Sequence, residues 1–192
     1  MAIVLTDISK SYGDLKVFEN FNYTFEDGGS YCIMGYSGKG KTTLLHMLMG
    51  ILQPDSGTIT GIDRSNIAPV FQEDRLIESI SVGTNIRLAA HTKLESAAVK
   101  AALKRIGLPS NLRNPTKRLS GGMKRRVAIL RALMSGGSVL LFDEPFKGLD
   151  EDTKRLTMDC VLSEAEGKTL IWVSHDTGEA QYMGSHIVNL DK

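Results

Sequence analysis

The apolar run Tyr31-Cys32-Ile33-Met34 leads directly into Gly35-Tyr36-Ser37-Gly38-Lys39-Gly40-Lys41-Thr42. The second segment fits the pattern G-x-x-x-x-G-K-[ST]. Its glycines let the backbone turn with successive N–H groups pointing inward, as an anion nest. Such a nest works best against the start of a helix, where unpaired N–H groups and the helix dipole favour negative charge. The sequence supplies that helix. Leu44, Leu45, Leu48, Met49 and Leu52 fall at helical spacing and predict a helix over Thr42–Leu52, ended by Pro54-Asp55-Ser56-Gly57. A strand, a glycine loop and a helix in this order commit the chain to an α/β sheet that binds at its strand ends. Within the nest, Lys41 can reach the β- and γ-phosphates of a nucleotide. The Thr42 hydroxyl can hold magnesium, and Thr43 can touch the α-phosphate.

The rest of the chain fits that commitment. Ile3-Val4-Leu5 opens what reads as an edge strand, and Val17, Phe18, Phe21, Tyr23 and Phe25 alternate with polar residues as in a half-buried strand. Ile59, Ile67–Phe71, Val139–Phe142, Thr169–Val173 and Ile187–Leu190 read as further strands. Four apolar residues in a row at Val139–Phe142 suit a parallel strand covered on both faces. Helices are expected at about 82–90, 95–106, Ser120–Leu133 and 151–166, with a loop over 107–118. Strands alternating with helices imply a mostly parallel sheet. An antiparallel β region stands at the N-terminus, and a helical subdomain is inserted. The expected division is a core of about 1–72 and 131–192, with the subdomain at about 73–130.

Composition narrows the class. At 192 residues the chain is one domain's worth. Apolar residues at 42% and charged residues at 23% are ordinary globular usage. The net charge of +1 lacks the basic excess of a nucleic-acid binder, so no nucleic-acid partner is expected. No apolar run approaches the roughly 18 residues of a membrane span. The N-terminus has no basic region that would mark a signal peptide. Cys32 and Cys160 fit no metal or disulfide spacing, and Cys32 is read as buried and inert.

Two acids, Asp143 and Glu144, close the Val139–Phe142 strand. Strand ends are where ligands sit in open α/β sheets, so both acids are expected in the crevice. Asp143 would hold magnesium, and Glu144 would polarise a water as general base. Ser120-Gly121-Gly122 at a predicted helix start is a second anion site. Two such sites in one chain suggest that a nucleotide lies between two copies. The adjoining Lys124-Arg125-Arg126 is read as a solvated helix face.

Leu119-Ser120-Gly121-Gly122-Met123 resembles the signature of the ATP-binding-cassette (ABC) ATPases, and other motifs of that family follow in order. Tyr12 is similar to the adenine-stacking aromatic, and Val17 to a residue packed near the adenine. Gln72 resembles the Q-loop glutamine, Gly148-Leu149-Asp150 the D-loop, and Ser174-His175-Asp176 the switch histidine. Met123 stands where the family usually has Gln, as in some importers.

The resemblance implies a P-loop NTPase of the ABC type that hydrolyses ATP with magnesium. Its nucleotide contacts would be Tyr12, Val17, Gly35, Ser37, Gly38, Lys39, Gly40, Lys41, Thr42, Thr43, Ser120, Gly121, Gly122 and Asp150. Thr42, Gln72 and Asp143 would hold the metal, while Glu144, His175 and Gln72 would serve catalysis. It also implies a homodimer in which Ser120, Gly121 and Gly122 of one subunit cover the γ-phosphate at Lys41 of the other. That dimer would sit on the cytoplasmic face of the membrane beside a transmembrane permease, with a solute-binding protein reached through it.

Gln72-Glu73-Asp74-Arg75-Leu76 resembles importers of nitrate, sulfonate and taurine, with an exporter ATPase as the alternative and a non-transport ABC protein as a lesser one. The permease would dock in a groove near 72–90. Lys147-Gly148 and Ser185-His186-Ile187 depart from the importer pattern. The short run from His175 to Lys192 leads to the expectation that no regulatory C-terminal domain follows.

Overall fold

The computed structural model describes residues 1–110, 113 and 115–191. Three strands, β1 (Ile3–Tyr12), β2 (Leu15–Phe25) and β4 (Ser56–Thr60), form an antiparallel sheet in the order β2-β1-β4. Five others, β3 (Ser30–Met34), β5 (Ile67–Val70), β6 (Val139–Asp143), β7 (Thr169–Val173) and β8 (His186–Asn189), form a sheet in the order β5-β6-β7-β3-β8. Every pairing in the second sheet is parallel. The helices are α1 (Lys41–Leu48), α2 (Val82–Leu88), α3 (Ser96–Arg105), α4 (Gly121–Leu133), α5 (Glu151–Ala165) and α6 (Thr177–Tyr182). No helix among the described residues is long and apolar enough to cross a membrane.

The parallel strands are apolar throughout because both faces are covered. Cys32, Met34, Leu140, Phe142, Leu170 and Trp172 point to one side and pack with α2, α3, α4 and α5 through Ile86, Leu103, Val127 and Val161. The alternate residues Tyr31, Ile33, Leu141, Ile171 and Val173 point to the other side. There they meet Leu44, Leu45 and Leu48 of α1 and the antiparallel sheet, through Ile3, Leu5, Ile8, Phe18 and Phe25. The small sheet thus serves as a lid over α1. Trp172 is fully buried, and its indole N–H donates to Ser185 Oγ at 2.9 Å. That bond gives the unexpected serine at 185 a local task.

Three expectations need correction. First, Ile3–Leu5 does not begin an edge strand: β1 lies in the middle of its sheet, paired with β2 and β4. Its polar residues at Thr6 and Asp7 hid its length, because the ladder is irregular there and Asp7 takes a φ of 51°. Second, α1 stops four residues before Leu52. Gly50, at φ 72°, donates to Met47 O (3.0 Å), and Ile51 donates to His46 O (3.0 Å), a Schellman closure that overrides the apolar spacing beyond it. Third, α6 was not expected. It is one short turn-and-a-half with a single buried apolar residue, Ala180, too little for periodicity to register. Helix α4 runs on to Leu133, so the expected subdomain boundary near 130 lies in its last turn. The expected loop over 107–118 contains a 3₁₀ turn at Thr116–Arg118, while its residues 111, 112 and 114 lie outside the described residues.

Both cysteines are buried within this core. Burial pushes the Cys32 thiol up to about 12 and raises Cys160 as well. Thiolate is the reactive form, so neither should react with Ellman's reagent at pH 8 in the native protein. Both should react once the chain is unfolded in guanidinium, and rapid native reaction of either would show that the sheet opens.

Candidate nucleotide-binding site

Three strand ends meet at one edge of the parallel sheet. Ile33 of β3 pairs with Val173 of β7, and Val173 pairs with Asp143 of β6. The segments that leave these strands, beginning at Gly35, Glu144 and Ser174, are therefore neighbours. The glycine loop turns between β3 and α1 with positive φ at Gly38 (84°) and Gly40 (86°). A Cβ on Gly40 would strike the Val17 side chain and the Phe18 ring, which places Val17 against the loop. Lys41, the first residue of α1, is buried and folds back over the loop. Its ammonium donates to the carbonyls of Gly35 (2.7 Å) and Tyr36 (2.9 Å). Ser37, Gly38 and Lys39 are exposed and open to a ligand.

The Thr42 hydroxyl donates to Asp143 Oδ2 at 2.9 Å, which joins the helix start to the end of β6. Asp143 is buried, and no basic side chain among the described residues is bonded to its carboxylate. Burial pushes its pKa up, the Thr42 bond opposes this, and the charge of Glu144 adds to it. A buried carboxylate and a hydroxyl, both hard oxygen donors facing an anion loop, fit magnesium, which takes few protein ligands beside phosphate and water. Gln72 is not drawn into this pair. Its side chain is exposed and makes no hydrogen bond among the described residues.

Glu144 sits one residue past the strand with φ 46°, a left-handed backbone rarely adopted by a residue with a side chain. Its N–H donates to Val173 O at 3.2 Å. Its carboxylate is held on both oxygens: His175 Nε2 lies 2.9 Å from Oε1, and Lys147 Nζ lies 2.5 Å from Oε2. Burial works against the charge of Glu144, but Lys147 and then His175 outweigh it and hold its pKa below the ordinary value. A cleft of about 520 Å³ opens here between Glu144, Lys147, His175 and Thr177. Below it, Ser174 Oγ donates to Glu179 Oε2 (2.6 Å), and Lys154 of α5 reaches Glu179 at 3.2 Å, so the His175 segment is braced from beneath.

The basic run is not a solvated face. Arg125 is 5% exposed, and its guanidinium enters the space between three segments. Nη2 donates to the carbonyls of Asp143 (2.6 Å) and Glu144 (2.7 Å), Nε to Pro145 O (3.0 Å), and Nη1 to Phe71 O (2.5 Å) and Gln72 O (3.3 Å). Asp74, 3.3 Å from Nη1, supplies the carboxylate, so it is not a free surface acid. Arg126 caps the end of α3 through the carbonyls of Ile106 (2.9 Å) and Gly107 (3.0 Å), while Lys124 pairs with Glu78. A run of cations reads as surface in the sequence because nothing local reveals the carbonyls that will surround one of them.

Other expected contacts stay apart from the loop within one chain. Ser120 caps α4, accepting from Met123 N at 3.3 Å, and lies exposed beside Gly121, above which a Cβ would meet nothing. Gly122 faces Leu149, whose Cδ2 would lie 3.3 Å from an added Cβ. Asp150 caps α5 through Thr153 N (2.9 Å). No hydrogen bond among the described residues links Ser120, Gly121 or Gly122 to Lys41, Asp143 or His175. Tyr12 is 51% exposed at the β1–β2 turn, an aromatic face open to solvent rather than a core residue. On the far side of Gln72, a second groove of about 360 Å³ runs between Phe71, Arg75, Ile77, Leu88, His91 and Arg131. The Arg75 guanidinium lies 3.8 Å over the Phe71 ring within it.

The profile of the ABC transporter family matches residues 18–147. An aliphatic sulfonates import ATP-binding protein of Rhizobium johnstonii is 36% identical, covering 100% of this chain and 74% of the relative. A spermidine/putrescine import ATP-binding protein of Pseudomonas aeruginosa is 35% identical over 98% of this chain, which spans only 56% of that relative. Among solved structures, the dimeric post-hydrolysis state of the ATP-binding cassette MJ0796 bound to ADP and Pi superposes with a TM-score of 0.84. It is 27% identical, with 97% of this chain and 93% of the other covered.

Arg125→Met would strand several buried carbonyls and the Asp74 charge. We expect a loss of about 3–5 kcal/mol in urea unfolding, the usual result of removing one partner from a buried ionic cluster. Arg125→Lys, without the planar fork, should recover only part of it. A loss under about 1 kcal/mol for the methionine variant would mean that water replaces the guanidinium.

Proposed function

Because the chain belongs to the ABC transporter family, we propose that it is the ATP-hydrolysing subunit of an importer, with its chemistry run from the sheet edge just described. The observation that carries this reading is the placement of Thr42, Asp143, Glu144 and His175 at adjoining strand ends beside the glycine loop. Tyr12 and Val17 receive the adenine, and Gly35 to Gly40 wrap the phosphates. Lys41 turns from its own loop carbonyls to the β- and γ-phosphates, and Thr43 meets the α-phosphate. Thr42 and Asp143, with Gln72, would hold magnesium, which would supply charge neutralisation to the phosphates. Glu144 accepts a proton from a water whose oxygen bonds the γ-phosphorus. The bond from that phosphorus to the bridging oxygen breaks, its electron pair leaves with ADP, and His175 steadies the γ-phosphate.

Within one chain, the Ser120-Gly121-Gly122 helix start, exposed at Ser120 and Gly121, makes no hydrogen bond to the glycine loop among the described residues. We assign it, with Asp150, to the γ-phosphate side of a second copy, giving an isologous dimer with two sites. The dimeric state named for the similar cassette supports this assembly. The groove at Phe71, Arg75 and Leu88 is where we place the transmembrane permease, with a solute-binding protein reached through it. It lies beside Gln72, so docking there can bear on the site. This puts the protein on the cytoplasmic face of the membrane. The nucleotide-binding core takes about 1–72 and 131–192, and the helical subdomain about 73–130. The importer relatives favour a small organic solute.

Glu144→Gln tests the reading. The amide keeps the shape of the side chain but cannot take the proton, so ATP hydrolysis should fall by roughly 10²–10⁴ while Mg-ATP still binds. Light scattering should then show a monomer without nucleotide and a dimer with ATP. Adding Ser120→Arg should return the monomer by filling the second anion site. A Glu144→Gln protein that stays monomeric at saturating ATP and high protein concentration would falsify the shared site.

A further inference from the structure

Lys147 lies three residues past Glu144 in the turn that follows β6, and the reaction just described gives it no task. Its N–H donates to Glu144 O at 3.3 Å, so the two residues belong to one tight turn. Its ammonium reaches back to Glu144 Oε2 at 2.5 Å. The partners differ in freedom. The Glu144 side chain is 12% exposed, while that of Lys147 is 65% exposed and free to leave. Glu144 itself cannot withdraw by moving its backbone. Its left-handed φ is fixed by Val173 O on one side and by the Arg125 guanidinium on the other.

A carboxylate takes a proton from water more readily the less its charge is drawn off by other donors. Here His175 occupies Oε1 and Lys147 occupies Oε2. The γ-phosphate gives His175 another partner, and Oε1 is then released. Lys147 has no such assigned exchange. It continues to draw on the carboxylate from the mouth of the same cleft.

We propose that Lys147 is a rate-setting residue of this site, a brake whose ion pair with Glu144 leaves the carboxylate a weaker base toward the proton of the attacking water. Lys147 acts through Glu144 and touches no reacting atom, so it is a positioning residue. The inference rests on Glu144 being the general base. The brake acts on the chemical step, because no hydrogen bond or ion pair among the described residues joins Lys147 to the glycine loop.

Lys147→Met keeps the length and apolar stem and removes the charge. Steady-state ATPase measurements on the full chain should show kcat up by about two- to fivefold, the span open to an ion pair with one exposed partner, and KM for ATP unchanged. Lys147→Arg should stay near wild type. In the Glu144→Gln background, Lys147→Met should change nothing, because no carboxylate remains to release. A kcat that is unchanged or lower in Lys147→Met overturns the brake. So does an equal rise in the Glu144→Gln background. If Glu144→Gln alone retains activity within tenfold of wild type, the general-base reading itself fails, an outcome distinct from failure of the brake.

Discussion

Asp143 stands opposite Val173 in the parallel ladder between β6 and β7, and the candidate site depends on that register. Parallel pairing sends all C-terminal strand ends to one edge. The ladder then fixes which residues emerge side by side. Val173 also pairs with Ile33, so the glycine loop after β3, the acids after β6 and His175 after β7 converge without any contact designed for the purpose. A slip of one residue would exchange the two faces of β7, placing Trp172 under α1 and Val173 against the helices of the other side. The fully apolar strands tolerate burial on both faces, but their side chains differ in size, and packing selects one register.

The second constraint is the Arg125 guanidinium. A buried charge is costly unless every donor is used, and here the donors meet carbonyls from Phe71 to Pro145 and one carboxylate, Asp74. Burial pulls its pKa down while the surrounding acids oppose the shift, and the group stays charged at neutral pH. The bonds join α4 to the segment holding Gln72 and to the shoulder of Glu144. The left-handed backbone of Glu144 persists because Arg125 and Val173 over-determine it. The helix capped by Ser120 is therefore fastened, through one side chain, to both Glu144 and the segment holding Gln72.

Much of the candidate site's placement was legible in the sequence. The strand, glycine loop and helix around Lys41 obey a strict local pattern, and local patterns survive translation into structure. The same is true of Asp143 and Glu144 at a buried strand end, and of Ser120 and Asp150 at helix starts. What was misread depended on distant partners. β1 took an inner place in its sheet because β4 pairs on its other side. Lys147 stood out in the sequence only as a departure from the importer pattern, and its partner Glu144 became visible only in the fold.

The sequence alone determined the α/β class, the glycine loop, the acids at the strand end and the family, because each motif is written in residues close along the chain. Only the tertiary structure decided where α1 ends, that Arg125 is buried rather than solvated, that Asp74 is its counter-charge, and that His175 and Lys147 share one carboxylate. These depend on sheet register and on which carbonyls are left facing inward after packing. Such long-range geometry has no trace in the spacing of side-chain types.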